Sequence, residues 1–327
     1  MTVTIRPATG EDVAATRTTF PDLQKDHWAE GKNRRSFVAE DDHGRVVGFC
    51  RAIDNNVHPD SRVMLLEVLP ELREQGIEDQ LLRSQLEVST VPPHMKIHAD
   101  QKAEQRLAAR FGGIAIQVTP PWRYVVVPEL RDWAAEHAGG AEPTRETDGR
   151  ALQELEVDHY IAQHESWSPT VPREQLLEEL AEDHDPSSPT TWNRERSRVL
   201  RRGDEIVAAA LVWGGSNGAG VDAPEVSLLS RPYLGPSSRR DKEACLAAVV
   251  AASADGDELL LDSHLSLPEE TAMMQAVPGL EGTPETDWMA IIALPVPDGP
   301  APIAFPRERV PAEASWVHGF LPDTLPR

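Results

Sequence analysis

The period of the apolar positions changes several times along this chain, and each change marks an element. TVTIRPA (2–8) reads as a short strand closed by Pro7, after which Asp12 is placed to cap a helix running towards Thr19. Residues 36–52, SFVAEDDHGRVVGFCRA, hold two β-branched runs joined by Asp-Asp-His-Gly, which predicts a hairpin. Val63 to Val68 is long enough for another strand and ends just before Pro70. After a turn around Gly76, DQLLRSQLEV (79–88) carries leucines at helical spacing. HMKIHA then reads as a strand, QKAEQRLAARF as a helix stopped by Gly112-Gly113, and WRYVVV as a strand.

The second half repeats this order. RSRVLRRGDEIVAAALVW (196–213) is a hairpin around a Gly-Asp turn, VSLLS (226–230) a strand, and DKEACLAAVVAAS (241–253) a helix. ELLLDSH follows as a strand, EETAMMQAV as a helix stopped by Pro278-Gly279, and DWMAIIAL as a last strand. Val47 and Val207, Pro70 and Pro232, and Gly112 and Gly279 stand 160, 162 and 167 residues apart. One element order at a near-constant offset predicts a duplicated domain rather than a solenoid. The expected division is a first domain over 1–136, a linker over 137–149 (HAGGAEPTRETDG lies here), a second domain over 150–294, and a Pro-rich tail over 295–327 anchored by Trp316 and Phe320.

Composition narrows the partners. The 327 residues are 40% hydrophobic, enough for two packed cores, and no run approaches the ~18–20 apolar residues of a membrane-spanning helix. Lys+Arg 32 against Asp+Glu 54 gives a net charge of −22, which repels phosphate backbones and makes nucleic acid a poor partner. Only Cys50 and Cys245 are present, both inside apolar stretches, and read as core filler. With no basic and apolar leader at the N-terminus, the expectation is a cytoplasmic protein without a membrane partner, either monomer or homodimer.

The segment that carries chemistry is Val68-Leu-Pro-Glu-Leu-Arg73-Glu74-Gln75-Gly76-Ile77-Glu78-Asp79-Gln-Leu81-Leu82. A buried strand here enters a tight turn and then a helix whose first amides point outward, an arrangement that favours an anion. A glycine in the turn lets a diphosphate approach the backbone closely. With this spacing, V-x-P-x-x-R-x-x-G-I-x-x-x-L-L, the chain resembles the GNAT acyltransferase superfamily, and its layout resembles a tandem GNAT protein. The resemblance implies an α/β fold: two tandem GNAT-like domains, each a mixed central β-sheet flanked by helices. It also implies that Val68, Arg73, Glu74, Gln75, Gly76, Ile77, Glu78 and Asp79 hold acetyl-CoA or another acyl-CoA as co-substrate, with a small-molecule amine as acceptor and no metal.

The departures from the family pattern are as informative as the match. Glu78 stands where the family has a small residue; pointing inward it repels a diphosphate, whereas a solvent-facing rotamer costs little. The corresponding second loop, Pro232-Tyr-Leu-Gly235-Pro236-Ser237-Ser238-Arg239-Arg240, has one glycine and a proline where an amide donor is wanted. The tyrosine that family members use to protonate the thiolate is replaced by Ala108 and Gln275. A carboxylate that receives the ammonium proton is sought on the strand that leads into the loop, giving Glu67, just before Val68, in the first half and Glu225, which opens the equivalent strand, in the second. His27 and Trp28 fall in the segment that walls the acceptor cleft in this family, while His159 and His164, five residues apart, do not share a helical face for a metal. Three readings follow: an acyl-CoA-dependent N-acyltransferase acting on a small amine; an eroded GNAT scaffold that binds or sequesters a small molecule; and an aminoacyl-tRNA-dependent transferase, which the net charge of −22 and the lack of a basic stripe disfavour.

Overall fold

The computed structural model describes residues 2–31, 33–185, 187–188, 191–214, 223–231, 233–280 and 287–322. Pro232, one of the repeat landmarks, lies outside the described residues, as does the end of the tail after 322. The elements in chain order are β1 (Val3–Pro7), α1 (Gly10–Thr16), β2 (Arg34–Asp41), β3 (Val46–Asp54), β4 (Arg62–Val68), α2 (Ile77–Val88), β5 (Pro93–His98), α3 (Lys102–Arg110), β6 (Ile114–Thr119), β7 (Arg123–Val125) and α4 (Pro128–His137). They continue with β8 (Glu142–Pro143), α5 (Gly149–His164), α6 (Arg173–Glu179), β9 (Arg198–Arg202), β10 (Glu205–Val212), β11 (Glu225–Ser230), α7 (Pro236–Ala252), β12 (Glu258–Leu261), α8 (Pro268–Ala276) and β13 (Met289–Ala293).

Two compact units result, one of residues 1–117 with 290–327 and one of residues 118–289. The first holds a seven-stranded sheet in the order β1-β2-β3-β4-β5-β13-β6. The second holds a six-stranded sheet, β7-β12-β11-β10-β9-β8. Each sheet therefore takes a strand from the other half of the sequence. β13 lies between β5 and β6, and β7 pairs antiparallel with β12. These units do not follow the expected limits at 136 and 294, because a strand's partner is chosen by non-local pairing that local periodicity does not record. The expected linker carries β8, which pairs with β9, and α4 packs on α7. β6, from the run IAIQVT, was not among the expected strands.

In the first unit, α2 buries Ile77, Leu81, Leu82 and Gln85 on one stripe against β2, β3 and β4. The opposite face packs Phe49 with Phe20, Leu23, Val38 and Val46, and Leu65 joins them. Helix α1 is capped by Thr9 rather than Asp12. The Asp12 amide donates to Thr9 Oγ1 at 3.2 Å, and the Thr9 amide donates to Asp12 Oδ2 at 2.7 Å, a reciprocal box. In the second unit, α7 packs on β9–β11, and the other face of that sheet gathers Leu152, Leu155, Trp192, Val199, Leu211 and Leu229. In the described part of the tail Phe305 and Phe320 are buried, and Trp316 meets Phe320 edge to face.

Candidate active site

β4 and β5 run parallel but pair only at Arg62–Pro93 and Val63–His94. Beyond that point the strands part, leaving the C-terminal half of β4 without a neighbour on that side. The gap opens into a cavity of about 370 Å³ lined by Leu66, Glu67 and Val68 of β4, by the loop that follows, and by α3. Helix α3 contributes Ala103, Glu104, Leu107 and Arg110, which fall on one helical face.

The loop is shaped by two residues in the left-handed region, Glu74 (φ 59°) and Gly76 (φ 84°). The second of these needs glycine, and its Cβ position is open space. Gly76 is the N-cap of α2, and the first helical bond within the turn is from the Gln80 amide to the Gly76 carbonyl, at 3.3 Å. The amides of Ile77, Glu78 and Asp79 precede that bond and stand at the positive end of the helix.

Glu78 settles neither inward on a ligand nor out in solvent. Its carboxylate accepts the Glu74 amide at 3.0 Å, taking one donor of the loop for itself. Ion pairs tie the loop to α3: Glu74 with Arg106, Asp79 with Arg110 at 2.5 Å, and Glu104 with Arg73 at 4.0 Å. Among the described residues neither Glu67 nor Glu78 forms an ion pair, and the carboxylates lining the cavity outnumber Arg73 and Arg110. The cradle thus has the room and the backbone geometry for a diphosphate, with Glu78 as the element that opposes it.

Strand alternation puts Glu67 on the face of Leu65 and Phe49. Its carboxyl is held above the ordinary carboxylate range, first by burial and then by Asp22, with Arg73 and Arg51 pulling the other way. Asp22 and Arg51 were not singled out in the sequence. The hairpin register that pairs Phe49 with Glu67 was the signal that could have found Arg51.

The structure separates the other expected residues. Val68, Arg73, Glu74, Gly76, Glu78 and Asp79 line the cavity with Glu67. Gln75 turns away to donate to the Glu71 carbonyl, and Ile77 is buried at the start of α2. Trp28 lies under the Arg62 guanidinium, 4.9 Å from its carbon, at the far end of β4. The His27 ring sits 3.3 Å from the Arg34 guanidinium. Neither aromatic lines the cavity. At the expected general-acid position, Ala108 is fully buried.

The second unit repeats the frame without the opening. β11 and β12 pair at Glu225–Leu260 and Val226–Leu261 and then part, and the cavity beside β11 there, lined by Ser227, Leu228, Leu229 and Asp262, has a volume of about 30 Å³. Leu69 donates its amide to Val47, and Arg231 donates to Val207, so the repeat offset at this strand end is 162. Leu229 therefore stands where the first unit has Glu67, and it is core. Glu225 begins β11, as its place at the opening of the strand implied, four residues earlier. The Gly235 amide donates to Glu269 at 2.9 Å, and Pro236 removes another donor from the start of α7.

Comparisons with known proteins agree with this geometry. Residues 7–112 match the acetyltransferase (GNAT) family. A tandem GNAT protein from the clavulanic acid biosynthesis pathway shares the fold at 15% identity and a TM-score of 0.52, over 92% of this chain and 100% of that one. A GCN5-related N-acetyltransferase from Sphaerobacter thermophilus does so at 13% identity and a TM-score of 0.51, over 90% and 97%. No curated protein sequence matches. Residues 7–112 of the first unit thus match the GNAT family model, and the chain shares the fold of these tandem and GCN5-related structures. Among the described residues no helix is long and apolar enough to cross a membrane.

Proposed function

We propose that the protein is an acyl-CoA-dependent N-acyltransferase, with its working site in the splay of the first unit and a small-molecule amine as acceptor. The observation that carries this reading is the contrast between the two splays: about 370 Å³ beside a helix N-terminus and Glu67 in one, about 30 Å³ beside Leu229 in the other. Acetyl-CoA or another acyl-CoA, when bound, supplies the activated thioester. The amides of Ile77, Glu78 and Asp79 would hold its diphosphate, with Arg73 and Arg110 at the cavity wall.

Glu67 is the residue we assign to the acceptor's proton. A primary amine is protonated near neutral pH and attacks only as the free base. A half-buried carboxylate whose pKa is raised towards neutrality is suited to take that proton and pass it to solvent. Arg73 and Arg51 act against that rise. With no phenol on the cavity face of α3, protonation of the leaving thiolate falls to water, since a thiol near pKa 8.5 leaves readily. The negative surface, −22 overall, draws in cations and favours an amine over an anionic acceptor.

The sequestering reading keeps one observation in its favour, the Glu78 carboxylate seated on a loop amide. Incubation of the purified chain with acetyl-CoA and a panel of amino acids, amino sugars and diamines, read by thiol release, separates the two. Turnover with at least one amine, lost in Glu67→Gln, supports the transferase. Acyl-CoA binding with no turnover on any amine favours the scaffold.

A further inference from the structure

The face of the first sheet that carries Glu67 also carries a positive charge that the fold does not use. Arg51 follows Phe49 by two residues on β3, and the register pairs Phe49 with Glu67 and Arg51 with Leu65. Strand alternation therefore sets Arg51 and Glu67 on one face as diagonal neighbours, with Cβ atoms about 7 Å apart. Asp22, from the segment between α1 and β2, acts electrostatically on both.

Arg51 is half-buried, and among the described residues it forms no hydrogen bond or ion pair. Its neighbours differ. Arg34 donates to the Gln24 side chain at 2.6 Å and to the Lys25 carbonyl at 2.9 Å, and Arg73 donates to the Val68 carbonyl at 3.4 Å. Burial lowers the Arg51 pKa, and Asp22 and Glu67 oppose that across a gap rather than by contact, with Arg34 acting the other way. The guanidinium stays charged, so a fork of N–H donors stands beside Glu67 without a protein acceptor. This pattern sorts the amines. A simple monoamine leaves the fork as it is, and a diamine brings a second positive charge towards it. An amine with a carboxylate gives the fork a bidentate partner, while its ammonium goes to Glu67 and Asp22, two acids that repel one another. A phosphate in place of the carboxylate would bring a second negative charge towards the same two acids.

We propose that the acceptor is an amino acid, its carboxylate held by Arg51 and its ammonium by Glu67 and Asp22. This rests on the transferase reading of the first unit and names the substrate class of that same site. Arg51 is the specificity-determining residue: it grips the end of the acceptor that does not react and so delivers the amine to Glu67. The transfer forms the amide C–N bond as the thioester C–S bond breaks; the ammonium proton leaves through Glu67, and the thiolate takes one from water.

The test uses the full chain with acetyl-CoA, read by thiol release, on matched sets: each common amino acid, its carboxamide and its decarboxylated amine. For the amino acid turned over best, kcat/KM is expected to exceed that of its carboxamide by at least about tenfold. Arg51→Gln should remove that preference, chiefly by raising KM for the acid, and Arg51→Lys should keep part of it. Loss of Arg51 also lifts a restraint on the Glu67 pKa and slows acid and carboxamide alike, so the ratio of the two is what reads the carboxylate. A second readout needs no turnover: the Arg51 ¹³Cζ resonance, assigned with Arg51→Gln, should shift saturably with amino acids and not with their carboxamides. Turnover without preference for the acid overturns this proposal and leaves the transferase reading standing. A selective shift of Arg51 without turnover of any amine upholds the amino-acid site and overturns the transferase reading. Neither a selective shift nor a preference overturns the proposal. Should Arg51→Gln fail to fold, the contrast between acid and carboxamide on the wild-type chain still decides.

Discussion

Replacement of Glu78 probes the loop most sharply. In the structure its carboxylate accepts the Glu74 amide at 3.0 Å, beside the amides that a diphosphate would use. A bound diphosphate therefore has to coexist with a negative charge or displace it. For unit charges about 6 Å apart at an effective dielectric constant of about 40, the repulsion is about 1.4 kcal/mol. That corresponds to about tenfold in dissociation constant. Glu78→Gln removes the charge and keeps an acceptor for the Glu74 amide; Glu78→Gly removes both. Calorimetric titration with acetyl-CoA at low salt should show about tenfold tighter binding for Glu78→Gln, and tighter still for Glu78→Gly. At about 1 M salt, where screening acts within about 3 Å, the gain of Glu78→Gln should shrink towards nothing. The loss of an acid from the first turn of α2 should cost about 0.3–1 kcal/mol of stability, visible as a lower Tm. If neither variant binds more tightly at low salt, the view of Glu78 as an internal competitor for the anion site is wrong.

Other expectations are independent of that one. Glu67→Gln should lower kcat by about 10²–10⁴ with little change in acyl-CoA affinity, the range for a lost general base. Because burial and Asp22 raise the Glu67 pKa and only the ionised form accepts a proton, wild-type kcat/KM should fall as pH drops through a value above the ordinary carboxylate range. That acid limb should vanish in Glu67→Gln, and its persistence would assign it to another group. Asp12, held down to about 2 by Arg6 and the Thr9 amide, adds stability that is complete above its ordinary 3.8 and lost as pH falls through about 2. Asp12→Asn should therefore cost about 1–2 kcal/mol at neutral pH and little in strong acid, by denaturant unfolding at the two pH values. Cys50 and Cys245 are buried thiols whose pKa values are pushed up by burial, so a thiol reagent should label both only upon unfolding. Rapid labelling of either in the folded protein would contradict the packing described.

The first splay was legible because its parts are contiguous: a buried strand, a turn glycine and a leucine-spaced helix follow one another from Val68 to Leu82. The duplication was legible for the same reason, as one order of local patterns repeated. Strand exchange was not, since nothing in DWMAIIAL or WRYVVV says which sheet each joins. The missed strand β6 is a different case, because IAIQVT has the β-branched alternation of a strand and was overlooked behind the Gly112-Gly113 stop. Side-chain outcomes were the least accessible. The turn of Glu78 onto Glu74, the seat of Trp28 under Arg62, and the meeting of His159 with Tyr233 all depend on groups brought together by the fold. Glu225 opens β11 as its sequence position implies, but the hydrogen-bond register gives Leu229, not Glu225, the place within its own sheet that Glu67 has in the first.

The central claim is that the first unit's splay holds acyl-CoA, and Gly76 tests it most directly. Its φ of 84° is one that a large side chain adopts only under strain, and it caps the helix whose amides face the cavity. Acetyl-CoA is titrated by calorimetry into the wild-type protein and into Gly76→Trp, with thermal unfolding confirming that the variant is folded. The account predicts saturable binding to the wild type that is lost in the folded variant. Equal binding to both, or none to the wild type with longer acyl-CoAs also silent, would contradict it.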